Sequence, residues 1–155
     1  MLLISFTLLI SLRSIKLGLI SLIPNLLPIL MTFGIWGLCY SQLGLISSVA
    51  AAITIGIVVD DTVHFLSKYQ YAKTKLGLTT EQAITFTFQT VGTAMWVTTV
   101  VLLGGFGVLI SSHYGISHDI GIFCSITIAL ALLMDFLLLP CLLMVLDKST
   151  GDNHA

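Results

Sequence analysis

Residues 45–68 read LISSVAAAITIGIVVDDTVHFLSK, and this stretch decides the fold. From Leu45 to Val59 it contains no charged residue, and Asp60 and Asp61 then follow side by side. An apolar run of about 20 residues predicts a transmembrane helix. An acid near the middle of such a helix costs about 2.5–3.5 kcal/mol to insert. Acids kept at that cost indicate an ion or proton site that faces other helices or a water-filled cavity.

The composition of the whole chain also indicates a membrane protein. Of its 155 residues 57% are apolar and 8% are charged, and the mean hydropathy is +1.09, whereas a soluble domain carries about 25% charged residues. A chain this apolar cannot cover its surface with polar groups, so its solvent is the lipid bilayer. The net charge of −1 gives no argument for a nucleic-acid partner. No cofactor or metal is predicted, because the cysteines lack metal-ligand or disulfide spacing: Cys39, Cys124 and Cys141.

Five hydrophobic segments, A to E, predict an all-α membrane protein with a bundle of about five transmembrane helices. They form one domain, residues 1–147, followed by a short cytoplasmic tail, 148–155. Segment A, residues 1–12, would be only about 18 Å long, whereas the hydrocarbon core is about 30 Å thick. It is therefore predicted to be the incomplete end of a first helix. The other spans are predicted at residues 17–40 (B), 45–68 (C), 80–110 (D) and 116–146 (E).

Local signals predict where these helices end or bend. Gly77 is a stop signal after segment C. Thr79 and Gln82 have the spacing of a capping box at the start of segment D. The residues after Asp147 are polar and are expected to be disordered. Prolines are expected to kink or delay the helices of segments B and E: Pro24, Pro28 and Pro140.

The basic residues fall on alternate connections between the segments. Arg13 and Lys16 lie between A and B, and Lys148 follows E. The B–C and D–E turns, residues 41–44 and 111–119, contain no Lys or Arg. Because basic residues accumulate in cytoplasmic loops, the A–B and C–D connections and the C-terminus are predicted to be cytoplasmic, in a bacterial inner membrane. The remaining basic residues lie between C and D: Lys68, Lys73 and Lys75.

Asp60 and Asp61 are the candidate proton site. Neighbouring residues on a helix point about 100° apart, so Asp60 shares a stripe with His64 while Asp61 faces elsewhere. Lys68 follows Asp60 by about 12 Å along the helix, so water can reach the acid from the cytoplasmic side. Burial and a second carboxylate both favour a protonated acid, and the pair is predicted to exchange one proton as a unit. The alternatives for the two acids are a hydrogen bond that packs helices together or a counter-ion for a basic partner. For His64 the alternative to a relay is a hydrogen-bonded polar residue near the interface.

For other polar residues within the segments, two interpretations are possible. Thr98 and Thr99 either donate to a carboxylate of segment C or bond back to a carbonyl of their own helix. Asp135, in segment E, is a third intramembrane acid, either functional or a polar tether between helices. Three residues of the D–E turn are assigned to a solvated outer loop, with a metal site as the alternative: His113, His118 and Asp119.

Several motifs, taken in their order along the chain, carry a resemblance to a known family. They resemble the resistance-nodulation-division (RND) superfamily, in its MMPL-type branch, which is related to Patched and to sterol-sensing domains. The likeness covers nearly the whole chain. The motifs are Arg13-Ser14-Ile15-Lys16-Leu17-Gly18, Ile23-Pro24-Asn25-Leu26-Leu27-Pro28, Gly56 to Phe65, Thr98-Thr99 through Gly105-Phe106-Gly107, and Met134-Asp135-Phe136-Leu137-Leu138-Leu139-Pro140.

The resemblance implies export of hydrophobic or lipid-like molecules, with protons as the coupling ion. In such proteins the acids of the Gly-x-x-x-Asp-Asp motif bind and release protons. That role carries over to Asp60 and Asp61, and Asp60, in the fourth position after Gly56, is the better match. Thr98 and Thr99 match positions that face the proton site in the family.

The resemblance also implies partners. Family members carry two six-helix halves, each with a large extracytoplasmic domain, and this chain resembles the C-terminal membrane half. The expected partners are the bilayer, a hydrophobic substrate, and an N-terminal half, another transporter subunit or a second copy of the chain. A lipid- or sterol-sensing module without transport is the alternative function. A remote alternative is an intramembrane aspartyl protease that pairs Asp60 or Asp61 with Asp135.

Overall fold

A computed structural model describes residues 15–39 and 44–151 of the chain. Side chains are described for residues 21–39, 44 and 47–145. Segment A and Arg13 lie outside the described residues, as do residues 40–43 of the B–C connection.

The described residues form helices and no strand. The helices are α1 (Ile15–Cys39), α2 (Leu45–Lys75), α3 (Thr80–Thr87), α4 (Thr93–Ile110) and α5 (Gly115–Gly151), and a π-helical turn, Phe88–Gly92, joins α3 to α4. In this part of the chain four stretches are long and apolar enough to cross a membrane: Ser21–Cys39, Ser47–Lys75, Thr80–Ile110 and Gly115–Val145. The prediction of an all-α membrane bundle is therefore confirmed. A helix suits this setting because it satisfies its backbone hydrogen bonds in lipid within a single segment.

Two helices extend further than the sequence predicts. Helix α2 continues past Lys68 to Lys75, so the basic residues assigned to the C–D connection lie on its last turns. Positive charges near a helix C-terminus interact favourably with the exposed carbonyls there, which supports this extension. Helix α5 continues to Gly151. Residues 148–151, expected to be disordered, are therefore helical, and residues 152–155 of the predicted tail lie outside the described residues.

The connection between α2 and α3 has the predicted end signals. Gly77 has a φ of +64°, a left-handed conformation that favours glycine and ends α2. Thr79 caps α3: its hydroxyl accepts from the Gln82 N–H, and the Gln82 side chain accepts from the Thr79 N–H. This reciprocal pair is the predicted capping box. The Lys73 ammonium donates to the Thr80 hydroxyl at 2.8 Å, which ties the two helices together across the turn.

Helix α5 is the element on which the others pack. It contacts α1, α2 and α4, while α1 also packs on α2. Two apolar clusters fill the interfaces. One contains Phe65, Leu66, Tyr69, Ala72, Ala83, Ile84, Met95, Leu139 and Leu143. The other contains Ile29, Trp36, Ala50, Ala51, Phe123, Cys124 and Ile128.

Close contacts replace the hydrophobic effect as the source of packing energy within lipid. A Cβ placed on Gly121 of α5 would lie 2.9 Å from the Ile110 nitrogen and the Phe106 oxygen, so α4 and α5 touch at this glycine. Phe88 of the π turn packs edge-on against Phe65, with 5.0 Å between the ring centroids. The centroid of the Phe136 ring lies 5.3 Å from that of Phe88. The π turn is therefore held against both α2 and α5.

Helix α1 runs without interruption through Pro24 and Pro28. The prolines were expected to kink or delay this helix, but it begins at Ile15, before both of them, and is not delayed. Asn25, between the prolines, is buried, and Thr32 bonds back to the Pro28 carbonyl at 2.8 Å. Thr127 of α5 donates to the Thr32 hydroxyl at 3.0 Å, so a polar contact joins α1 to α5.

Candidate functional site

The two acids of the motif lie near the middle of the apolar span of α2, Ser47–Lys75. Asp61 is half-buried and Asp60 is exposed on the surface of the bundle. The two carboxylates leave the helix in different directions, as the 100° spacing of neighbouring residues requires.

Both acids line a groove between α2 and α4 with a volume of about 620 Å³. The α2 wall consists of Gly56, Ile57, Asp60 and Asp61. The α4 wall consists of Val97, Thr98, Val101 and Leu102. The groove is thus mostly apolar, with two carboxylates and one hydroxyl as its polar groups. Such a lining suits an amphipathic occupant or a few water molecules beside the acids.

His64 lies beside Asp60 on the outer face of α2. Its Nε2 is 3.7 Å from the Asp60 Oδ1, and the two side chains are 68% and 74% exposed. The spacing is one helical turn, at which side chains on one face meet. A proton on the imidazole would make this contact an ion pair, and at 3.7 Å the two atoms are further apart than in a hydrogen bond.

The two threonines of α4 point to different places. Thr98 lines the groove with the acids, but its hydroxyl donates to the Met95 carbonyl at 3.0 Å. Of the two interpretations of Thr98, the structure therefore shows the hydrogen bond to a carbonyl of its own helix. Thr99 is buried and is not part of the groove lining.

Asp135 lies apart from the groove, in a buried polar cluster that joins three helices. The Thr62 hydroxyl of α2 is 3.0 Å from the Asp135 Oδ1 of α5 and 2.7 Å from the Asn25 Oδ1 of α1. All three side chains are at most 4% exposed. Along α2, Thr62 lies between residues of the two apolar clusters, and along α5 Asp135 does the same. The tether reading of Asp135 thus agrees with its geometry.

The sequence interpretation missed Asn25 and Thr62 as members of this cluster. Thr62 follows Asp61 directly but points about 100° away from it, along the buried stripe of α2 that includes Val58 and Phe65. A signal was present for Asn25, since an amide between two prolines in an apolar helix is itself an expensive residue. The protease alternative requires Asp135 to face a motif acid, whereas its hydrogen bond is to Thr62.

The polar residues of the D–E turn are only partly in a loop. His113 is exposed in the turn, but helix α5 begins at Gly115 and includes His118 and Asp119. The His118 Nδ1 lies 3.5 Å from the Asp119 carboxylate. Within the described residues no three His, Cys, Asp or Glu side chains come close enough to hold a metal ion.

Comparison with known proteins decides the family. The family model described as "MMPL family" matches residues 1–152. The chain belongs to the MMPL family. The resemblance stated from the motifs is thereby confirmed, and the motif acids Asp60 and Asp61 lie within the matched region.

A relative gives the same class of protein. The chain is 24% identical, over 127 residues, to a protein from Methanocaldococcus jannaschii whose name describes it as a membrane protein. The aligned region is 82% of this chain and 32% of that relative. The MMPL-family chain therefore spans about a third of the length of the curated relative it matches.

Proposed function

We propose that the chain is part of an exporter of hydrophobic or lipid-like molecules that is driven by the proton-motive force. Asp60 and Asp61 bind and release the coupling protons, and His64 exchanges a proton with Asp60. The observation that carries this proposal is the position of the two acids. They lie mid-span on α2 and open into a groove whose other lining is mostly apolar, in a chain of the MMPL family.

The exposure of Asp60 and His64 supports a partner on this face. An acid that meets hydrocarbon at mid-membrane costs about 2.5–3.5 kcal/mol, and a polar histidine beside it adds to that cost. We infer that a further membrane segment covers the outer face of α2 in the working transporter. An N-terminal half, another subunit or a second copy would each serve, and the chain's share of its relative's length agrees with a larger assembly.

The orientation belongs to the same proposal. The basic residues on the last turns of α2 and the absence of Lys and Arg from residues 111–119 favour a cytoplasmic α2–α3 connection. The C-terminus would then also be cytoplasmic, in an inner membrane. Protons that reach Asp60 from the periplasmic side would leave toward the basic end of α2.

The test uses the complete protein that carries this chain, reconstituted in vesicles with a pH-sensitive dye inside. A fluorescent lipid analogue serves as the transported molecule. We expect Asp60→Asn to abolish analogue movement driven by a pH gradient, because asparagine has the shape of aspartate but binds no proton in this range. Asp61→Asn should reduce it strongly. Asp119→Asn, at the far end of α5, is the matched control and should leave transport unchanged.

The alternative of a lipid-sensing module is favoured by one feature, the apolar groove itself. A lipid chain could occupy it with no need for a titrating acid. Binding of the fluorescent analogue that is the same in the parent and in Asp60→Asn, with no proton movement in either, would establish that alternative. Full gradient-driven transport by Asp60→Asn would refute the exporter proposal.

A further inference from the structure

We propose that Asp135, with Thr62 and Asn25, forms a second proton-binding site, separate from the groove. Uptake of one proton from water by the Asp135 carboxylate reverses a chain of hydrogen bonds that joins α5 to α2 and α1. The proposal does not depend on the transport function, because it concerns the protonation of a group that the groove does not contain.

The first argument is a count of hydrogen atoms. The Thr62 hydroxyl lies within hydrogen-bond distance of three acceptors: the Asn25 Oδ1 at 2.7 Å, the Asp135 Oδ1 at 3.0 Å and the Val58 carbonyl at 3.2 Å. A hydroxyl group has one proton to donate. With the Asn25 Oδ1 facing Thr62, the hydroxyl proton goes to Asn25, and the contact with Asp135 is then satisfied by a proton on Asp135 that is donated to Thr62.

The second argument is the amide of Asn25. Its Nδ2 is buried and has no hydrogen-bond partner, while its Oδ1 faces Thr62. This is the orientation that fits a protonated Asp135: the acid donates to Thr62, and Thr62 donates to Asn25. When Asp135 loses its proton, Thr62 must donate to the carboxylate. A half-turn of the amide then lets Nδ2 donate to Thr62, so every bond in the chain changes direction.

The third argument is the charge around Asp135. The described side chains of α1 and α4 include no Asp, Glu, Lys, Arg or His, and Glu81 of α3 is exposed. From α2, Asp61 interacts electrostatically with Asp135, while Asp60 and His64 are on the outer surface. A negative charge on Asp135 would therefore face another acid and be stabilised by one hydroxyl. Burial without a basic partner makes such a charge costly, so the proton is the group that balances it.

The arrangement suits a site that responds to proton supply, since three helices share the reversible bonds. Asp61 is close enough to act on Asp135 electrostatically and also lines the groove. The cluster couples the groove to the packing of α1 and α5 through α2.

The experiment is infrared difference spectroscopy on the whole chain in lipid bilayers, with ¹³C-labelled aspartate and a change of pH. The double variant Asp60→Asn/Asp61→Asn removes the motif acids. We expect it to keep a carbonyl band of a protonated carboxyl group, and this band should disappear reversibly as the pH rises while the backbone amide bands stay unchanged. Adding Asp135→Asn should abolish the band.

The Thr62 variants assign the band without removing Asp135, so the test holds even where Asp135→Asn does not fold. Thr62→Val removes the acceptor of the Asp135 proton and should shift the band, and Thr62→Ser should restore its position. The proposal is overturned by the lack of any protonated-carboxyl band in the double variant, by a band that no pH change removes, or by a band that Thr62→Val leaves in place. Because the double variant lacks the acids proposed to drive transport, failure here is distinct from failure of the exporter proposal.

Discussion

At the scale of single residues, neighbours in the sequence have opposite environments. Asp61 lines the groove, whereas Thr62 is fully buried on the neighbouring, inward stripe of α2. The motif acids could be predicted from the sequence, because a charge in an apolar helix is conspicuous. The roles of Thr62 and Asn25 could not, since threonine and asparagine occur in many helices and their contacts come from other elements.

Replacing Thr62 should weaken the contact between three helices. We expect Thr62→Val to lower the free energy of unfolding by about 1–2 kcal/mol, because it leaves the polar groups of Asn25 and Asp135 without their shared partner. Thr54→Val is the matched control: Thr54 is equally buried on α2, but its hydroxyl bonds only to carbonyls of its own helix. Denaturant titration in detergent micelles, followed by circular dichroism, measures both. Equal losses in the two variants would contradict the role given to Thr62.

At the scale of helices, the positions of the spans could be predicted but their faces could not. Hydrophobic runs and the capping box of Thr79 located the helices. These helices are apolar nearly all round, so no amphipathic pattern tells which side packs against a neighbour. The close contact at Gly121 and the central place of α5 are therefore visible only in the structure.

Gly121 provides the test of that contact. We expect Gly121→Ala to lower the free energy of unfolding by about 1–3 kcal/mol, because its Cβ would meet the backbone of α4 and force the helices apart. Gly104→Ala on α4 controls for the higher helix propensity of alanine, since a Cβ at Gly104 meets no atom within 4 Å. Thermal unfolding in micelles compares the two. A Gly121→Ala protein as stable as Gly104→Ala would refute the close packing of α4 on α5.

At the scale of the whole molecule, the polar surface of α2 is not compatible with lipid on every side. Asp60 and His64 lie at mid-span and are largely exposed, whereas the cluster around Asp135 is sealed. Asp60 therefore requires a further protein surface to shield it from lipid, whereas Asp135 is shielded by the helices of the bundle itself. Composition and charge distribution predicted the membrane setting, but a single sequence gives no information on which surface remains open.

The orientation proposed for the bundle can be measured directly. In a variant with alanine at all three cysteine positions, Thr74→Cys and Ser112→Cys place one thiol at each end of the bundle. We expect a membrane-impermeant maleimide, added to intact cells, to label Ser112→Cys and not Thr74→Cys, because basic residues surround Thr74. Inverted vesicles should give the reverse labelling. Labelling of Thr74→Cys in intact cells would show that the chain is inserted the other way.

The π turn at Phe88–Gly92 has a consequence for how sequences of this kind are aligned. A π turn holds one residue more than an α turn, so it takes up a single-residue insertion without rotating the helix beyond it. A continuous α-helix with the same residues would turn Thr98 by about 100° away from the groove. A homologous chain one residue shorter at this point could therefore place the equivalent threonine in the same groove. The gap in such an alignment belongs within residues 88–92, and placing it further along α4 would mismatch every position between the π turn and the gap.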